Sequence, residues 1–186
     1  MLRTTIDLDA IAHNTRRLRE QTSAELMCVV KADAYNHGVE RCVPVMEAGG
    51  ADAFGVATFA EARRVRELTT KPVLAWLWDP QEELPAGVDV GVPSFTHLQS
   101  LIDAPTAPTA YLKVDTGMHR SGIDEVRWQE AFELALDAQR KGKLTVAGLM
   151  THLSCADDPA DPYTDQQAAA FRRAIAQARQ VGLEVP

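Results

Sequence analysis

A chain of 186 residues, 46% of them apolar, is long enough to bury a core of ordinary size, which excludes a disordered protein. The formal charge of −7 is spread along the sequence and the basic residues form no stripe, so a surface that tracks a nucleic-acid backbone is excluded as well. No run approaches the roughly 20 apolar residues of a membrane helix, and the N-terminus lacks the apolar core of a signal peptide; the expected location is the cytoplasm, with no membrane partner.

In chain order, a first strand-like piece covers residues 4–8. Apolar runs of strand character then fall at residues 26–30, 53–56, 73–76, 88–92, 110–114 and 144–150, alternating with helical patterns. That alternation predicts βα units around a parallel sheet. The run Leu26-Met27-Cys28-Val29-Val30 is apolar at every position, as a strand covered on both faces would be. After it, Val39, Cys42, Val43 and Met46 share a helix face, and Pro44 requires that helix to begin near it or to kink there. Thr58 with Glu61 is a capping box. Trp76 and Trp78 fall on one side of their strand, where core packing is the default. Gly142 and Gly182 mark helix ends. Asp161 then Pro162 is an N-cap before a proline at the first helical position, and Ala168, Phe171, Ile175 and Ala178 form a buried stripe behind it. Residues 183–186 look like the start of a seventh strand.

The three cysteines are odd in number and far apart, with no metal-ligand pair, so no metal is expected. Cys28 and Cys42 read as small buried residues, and Cys155, near a strand end, as partly reactive.

Chemistry is expected at the carboxyl ends of the strands, where α/β folds keep it. Lys31 stands there, at the point where its apolar run gives way to Ala32-Asp33-Ala34-Tyr35-Asn36-His37-Gly38. Alone, it would read as a surface lysine laying its stem over apolar neighbours. The whole stretch, however, resembles the cofactor-lysine signature of the alanine racemase family. The usual form has glycine where this chain has Asn36, a residue that also tolerates unusual backbone angles. A second stretch, Leu112-Lys113-Val114-Asp115-Thr116-Gly117-Met118-His119-Arg120-Ser121-Gly122, resembles that family's second signature. A third, Leu149-Met150-Thr151-His152-Leu153-Ser154, ends the sixth strand. The resemblance spans nearly the whole chain. Amino-acid decarboxylases of the same barrel type share a lysine strand but lack the second signature in this form.

The resemblance implies a (β/α)8 TIM-type barrel of fold-type III, with residues 1–186 as an N-terminal domain that binds pyridoxal 5'-phosphate (PLP). An eight-fold barrel takes about 250 residues, so six βα units imply an incomplete one, lacking the family's C-terminal β-domain. The initial strand-like piece then lies outside the barrel. The implied activity is interconversion of L- and D-alanine for peptidoglycan synthesis, in a homodimer. Lys31 would form a Schiff base with the cofactor and act as base. The Tyr35 hydroxyl would bind its phosphate. Arg120 would hydrogen-bond its phenolic oxygen and, with Met118, contact the substrate; a guanidinium suits a carboxylate because it presents a fixed fork of donors. Lys113 matches a lysine that is often carbamylated, giving an anion that orients the arginine; otherwise it is a strand-end lysine paired with Asp115. His152 would support, from behind, an arginine facing the pyridine nitrogen that lies beyond Pro186. His13, His37, His97 and His119 read as structural or solvated.

In the family a tyrosine from a second subunit's β-domain serves the other enantiomer, so residues 1–186 alone are expected to bind cofactor weakly and to have little or no activity. Two alternatives stand beside this: a non-catalytic barrel of vitamin B6 homeostasis, whose members are complete at about 230 residues, and an inactive structural fragment.

Overall fold

The computed structural model describes residues 3–185. They divide into two compact units: the chain up to Trp78 with Glu82–Asp89, and Asp79–Gln81 with the chain from Val90 onward.

The first unit runs α1 (Leu8–Glu20), β1 (Met27–Val29), α2 (Lys31–Asn36), α3 (Val39–Ala48), β2 (Ala53–Val56), α4 (Phe59–Arg66) and β3 (Val73–Ala75). Its strands are parallel in the order β1-β2-β3, with Cys28 opposite Phe54 and Gly55 opposite Leu74. β2 and β3 are buried at every residue, which is why their sequences show no alternation. Helix α4 buries Phe59, Ala62 and Val65 at helical spacing, and the Phe59 ring stacks on Trp78 at 5.4 Å.

Residues 4–8 are not a strand. The Asp7 carboxylate accepts the amides of Asp9 and Ala10 at 3.0 and 3.1 Å, and this cap starts a helix at Leu8. Helix α3 begins at Val39 rather than at Pro44, which sits inside it. Gly38, at φ +88°, opens the helix, and its carbonyl accepts the amides of Arg41 and Cys42. The capping box at Thr58 and Glu61 is formed as expected. Cys42 is buried but Cys28 only half so; burial first, then the nearby Asp52 carboxylate, raises the Cys28 thiol above its ordinary range.

The second unit takes up β4 (Asp89–Val92) from Val90 and continues through α5 (Phe95–Asp103), β5 (Thr109–Lys113), a 3-10 turn (Glu125–Arg127), α6 (Trp128–Arg140), β6 (Thr145–Met150) and α7 (Tyr163–Gln180). Its strands are again parallel, in the order β4-β5-β6, with Gly91 opposite Tyr111 and Leu112 opposite Leu149. Trp128, Phe132, Leu98 and Leu112 are fully buried, and the Trp128 indole donates to the Ile123 carbonyl at 2.8 Å, so its polar edge is satisfied. Helices α6 and α7 end as expected before Gly142 and Gly182, both with positive φ.

The buried face of α7 is offset from the expected one. Gln167, Ala170, Ala174 and Ala178 are buried, whereas Ala168, Phe171 and Ile175 are half-buried flanks. Three alanines let the helix lie close to its support, while hydrophobicity had pointed to the larger neighbours. The helix is counted from Tyr163, one residue later than expected, yet Asp161 still caps it by accepting the Tyr163 amide at 2.8 Å. Residues 183–185 carry no strand, and Pro186 lies outside the described residues. Among the described residues no helix is long and apolar enough to cross a membrane, and no group of His, Cys, Asp and Glu is placed to hold a metal.

Candidate active site

In the first unit the strand-end lysine opens a segment of rare geometry. Val30 is buried and its amide bonds to the Gly55 carbonyl at 2.8 Å, holding β1 to β2 as far as the lysine. Then Ala32, Asp33, Ala34, Tyr35 and Asn36 all take φ between +52° and +63°, so α2 is a turn of left-handed helix. For L-residues this costs about 1–2 kcal/mol each, and it persists only where the surroundings over-determine it. The segment closes itself through the Ala34 amide on the Val30 carbonyl at 2.9 Å and the Gly38 amide on the Asp33 carbonyl at 3.0 Å. Asn36, the departure from the usual glycine, has φ +63° and so occupies a conformation that asparagine accepts more readily than most.

Two side chains of α4 brace this turn. One oxygen of the Glu61 carboxylate accepts the Ala32 amide at 2.8 Å, while the other accepts those of Ala57 and Thr58 at 2.9 and 3.0 Å. Burial pushes this carboxyl up, but the backbone donors outweigh it and hold it below the ordinary range. Arg64 reaches the Asp33 carboxylate at 3.1 Å and also pairs with Glu40.

The Lys31 amine lies 5.8 Å from the centre of the Tyr35 ring and 6.0 Å from that of Trp76. Both distances fall within the range of a cation–π contact. The two tryptophans do not share a fate. Trp78 is buried, whereas the strand stops at Ala75 and the half-buried Trp76 turns to the lysine. Gly55 makes room for it, since a β-carbon there would come within 2.8 Å of the Trp76 ring. Sequence alone gave no signal for Trp76 in this role. Tyr35 is 55% exposed, so its hydroxyl is open to a ligand.

In the second unit Lys113 ends β5 and is only 6% exposed. Burial first, then repulsion from Arg120, pulls its amine below the ordinary lysine range, partly offset by Asp115. Pairing with Asp115 is not its main interaction, because that carboxylate is engaged elsewhere. It accepts the Gly117 and His119 amides at 2.9 and 3.1 Å and faces the His119 ring at 3.2 Å. His119 is therefore a structural partner of Asp115, at φ +56°. The loop closes through the Asp115 amide on the Ile123 carbonyl at 2.9 Å and the Ile123 amide on the Lys113 carbonyl at 2.8 Å. Only glycine fits at 122, at φ +135°, where a β-carbon would meet the Asp115 nitrogen at 2.7 Å. This loop presents half-buried Met118 and exposed Arg120.

Asp115 makes the loop acid-sensitive. Burial raises its pKa, but the Gly117 and His119 amides and then the His119 charge lower it further, leaving a net depression. A depressed carboxyl contributes stability that is complete above the unfolded value of about 4 and is lost as the pH falls through the folded value. Wild-type stability in urea should therefore fall more steeply than that of Asp115→Asn between about pH 5 and pH 3. Equal slopes would show that the carboxylate contributes nothing to the fold.

The third motif follows β6, and His152 is exposed there. Its backbone is tied to the β5 loop by a residue that sequence reading passed over. The fully buried Gln167 amide donates to the Thr116 hydroxyl and the His152 carbonyl, both at 3.1 Å, and its oxygen accepts the Ser154 amide at 2.8 Å and hydroxyl at 3.0 Å. The Thr116 and Thr151 hydroxyls also bond at 2.8 Å, and the Tyr163 hydroxyl donates to the Gly117 carbonyl at 2.8 Å. A glutamine on the inner face of an otherwise alanine-lined helix was the available signal.

Each motif thus follows the carboxyl end of its own strand: Lys31 after β1, Lys113 on β5 and His152 after β6. Lys31 and Tyr35 are brought together in one unit, and Lys113, Met118, Arg120 and His152 lie in the other. A sequence model of the family described as "Alanine racemase, N-terminal domain" matches residues 6–186. The chain belongs to this alanine racemase family. It is 53% identical, over its whole length, to an alanine racemase of Corynebacterium efficiens, of which the match covers 52%. The crystal structure of the Corynebacterium glutamicum alanine racemase superposes with a TM-score of 0.91 at 48% identity, over 98% of this chain and 54% of that one. A Bartonella henselae alanine racemase, whose structure holds covalently bound pyridoxal phosphate, is matched at 25% identity and a TM-score of 0.76, over 92% of this chain and 52% of that one. The chain spans about half the length of these alanine racemases. The α/β fold of parallel βα units is the one its sequence pattern predicts, consistent with part of a TIM-type barrel.

Proposed function

We propose that this chain is the PLP-binding N-terminal barrel domain of an alanine racemase, interconverting L- and D-alanine in the cytoplasm as a homodimer. The observation that carries this reading is the Lys31 amine, at the end of β1 on a braced left-handed turn, 5.8 and 6.0 Å from two aromatic rings. The residues fit the cofactor's chemistry: an amine to bond its aldehyde, a tyrosine hydroxyl open to its phosphate, and an exposed guanidinium on a glycine-framed loop for its phenolic oxygen.

The bound cofactor supplies a conjugated ring that spreads the negative charge left when an amino acid loses its α-proton. The Lys31 amine would hold the cofactor, and the same Nζ would stand as the base that takes or returns the α-proton. Arg120 would bind the substrate carboxylate, and Met118 would contact the substrate. Tyr35 donates its hydroxyl to the phosphate, and His152 orients groups from behind.

Lys113 completes this reading. An amine pulled down by burial and by Arg120 is neutral more often, and a neutral amine can add carbon dioxide, forming an N–C bond and releasing a proton. The carbamate would be an anion able to orient Arg120.

Incubation with PLP, borohydride reduction and peptide mapping test the assignment. Label on Lys31 supports it, and label confined to other lysines would overturn it. Residues 1–186 alone are expected to racemise alanine little or not at all, and robust turnover by them would refute that part.

A further inference from the structure

We propose that helix α4 is the positioning element for Lys31: the Glu61 carboxylate and the Arg64 guanidinium tie the first two left-handed residues of the turn, and the start of the helix after it, to α4 and so fix where the amine stands. The proposal presupposes the reading of Lys31 as the cofactor-bearing amine.

Residues 61 and 64 lie one helical turn apart and share a face of α4. From that face Glu61 accepts the amide of Ala32, the residue directly after Lys31 and the first with positive φ. Arg64 reaches Asp33 at 3.1 Å, and the same Asp33 oxygen accepts the Val39 amide at 3.0 Å, where α3 takes over from the turn. Arg64 also pairs with Glu40, the next residue of α3. One helix face thus engages the first two left-handed residues of the turn and the first turn of the helix that follows it. Five consecutive residues in an unfavourable conformation need such external constraint, because the turn's own hydrogen bonds would be available to a right-handed alternative. Tyr35 lies inside the braced segment, so its ring moves with the lysine.

Glu61 has a second duty as the capping-box residue of α4, and its two oxygens keep the duties apart. A glutamine at 61 has one carbonyl oxygen. Turned toward the Ala57 and Thr58 amides it preserves the cap's two bonds, and its NH2 group then confronts the Ala32 N–H. Glu61→Gln therefore releases the turn and keeps most of the cap. Thr58→Ala does the reverse, removing the cap's hydroxyl and leaving the carboxylate on Ala32.

Residue-resolved hydrogen exchange at Ala32 and the rate of borohydride-fixed PLP incorporation at Lys31 are measured in wild type and both variants. Thr58→Ala should lower Tm, keep Ala32 protected and label within about twofold of wild type, whereas Glu61→Gln should expose Ala32 and label about tenfold more slowly, as misplacement of a reacting group predicts. Wild-type labelling by Glu61→Gln, or slowing in both variants in proportion to their loss of Tm, would overturn the proposal. Should wild type take no label at Lys31, the cofactor assignment fails and exchange decides the brace alone. Protection lost only in Glu61→Gln supports it, and equal protection in all three proteins refutes it.

Discussion

Replacing Lys31 by alanine should abolish borohydride-fixed incorporation of PLP, and replacing it by arginine should do the same. Alanine removes the nucleophile. Arginine keeps the positive charge between the Tyr35 and Trp76 rings, but its guanidinium stays protonated and does not condense with an aldehyde. The pair of variants therefore separates covalent attachment from simple charge attraction. Lys31 is half-buried and braced through the backbone of its neighbours, so neither change should shift the unfolding free energy by more than about 0.5 kcal/mol. Mass spectrometry of the reduced protein provides the first readout and urea denaturation the second. Retention of label by Lys31→Ala would mean that another amine carries the chemistry.

Replacing Gln167 by leucine should cost about 3–5 kcal/mol of stability, the largest effect expected of a single polar residue in this chain. Its amide makes four hydrogen bonds in a site with no exposure, and leucine removes those to the His152 carbonyl and to the Ser154 amide and hydroxyl. The Thr116 hydroxyl is spared because Thr151 still bonds it. Gln167→Glu keeps the acceptor for Ser154 but loses both donors and buries a charge. Burial raises the carboxyl's folded pKa above its unfolded value of about 4.3, so the variant's deficit is full above the folded value. It shrinks as the pH falls toward about 4.3, where the protonated acid regains an O–H donor. Urea titrations near pH 7 and near pH 4.5 measure both variants. A leucine variant as stable as wild type would show that the network is dispensable, and a pH-independent glutamate variant would show that the site admits water.

Much of this was legible without coordinates. Residues 53–56 are the strand their continuous apolar run predicted, and the other five runs were correct to within a residue at each end. For β2 and β3 the reason is burial of every residue; β1, expected to be covered on both faces, is only half-buried, with Val29 exposed. The Thr58–Glu61 box and the glycine helix ends were readable because their chemistry is local. Residues 4–8 misled because β-branched residues outweighed a single aspartate, whose side chain then capped a helix. The α7 face differs from the hydrophobic stripe because close approach favours alanine and a satisfied glutamine over larger side chains.

The candidate site divides along the same line. The sequence by itself determined where the candidate residues stand, each motif following a strand, since residue type and apolar runs are properties of the linear chain. It also marked Asn36 as a position of unusual backbone. Only the tertiary structure decided that the segment after Lys31 winds left-handed, that Glu61 and Arg64 brace it, that Trp76 leaves the core for the lysine, and that Gln167 joins two loops. Those outcomes depend on contacts between residues distant in sequence, from 15 positions for His152 with Gln167 to 51 for Thr116 with Gln167. No local propensity encodes a partner that only folding brings near.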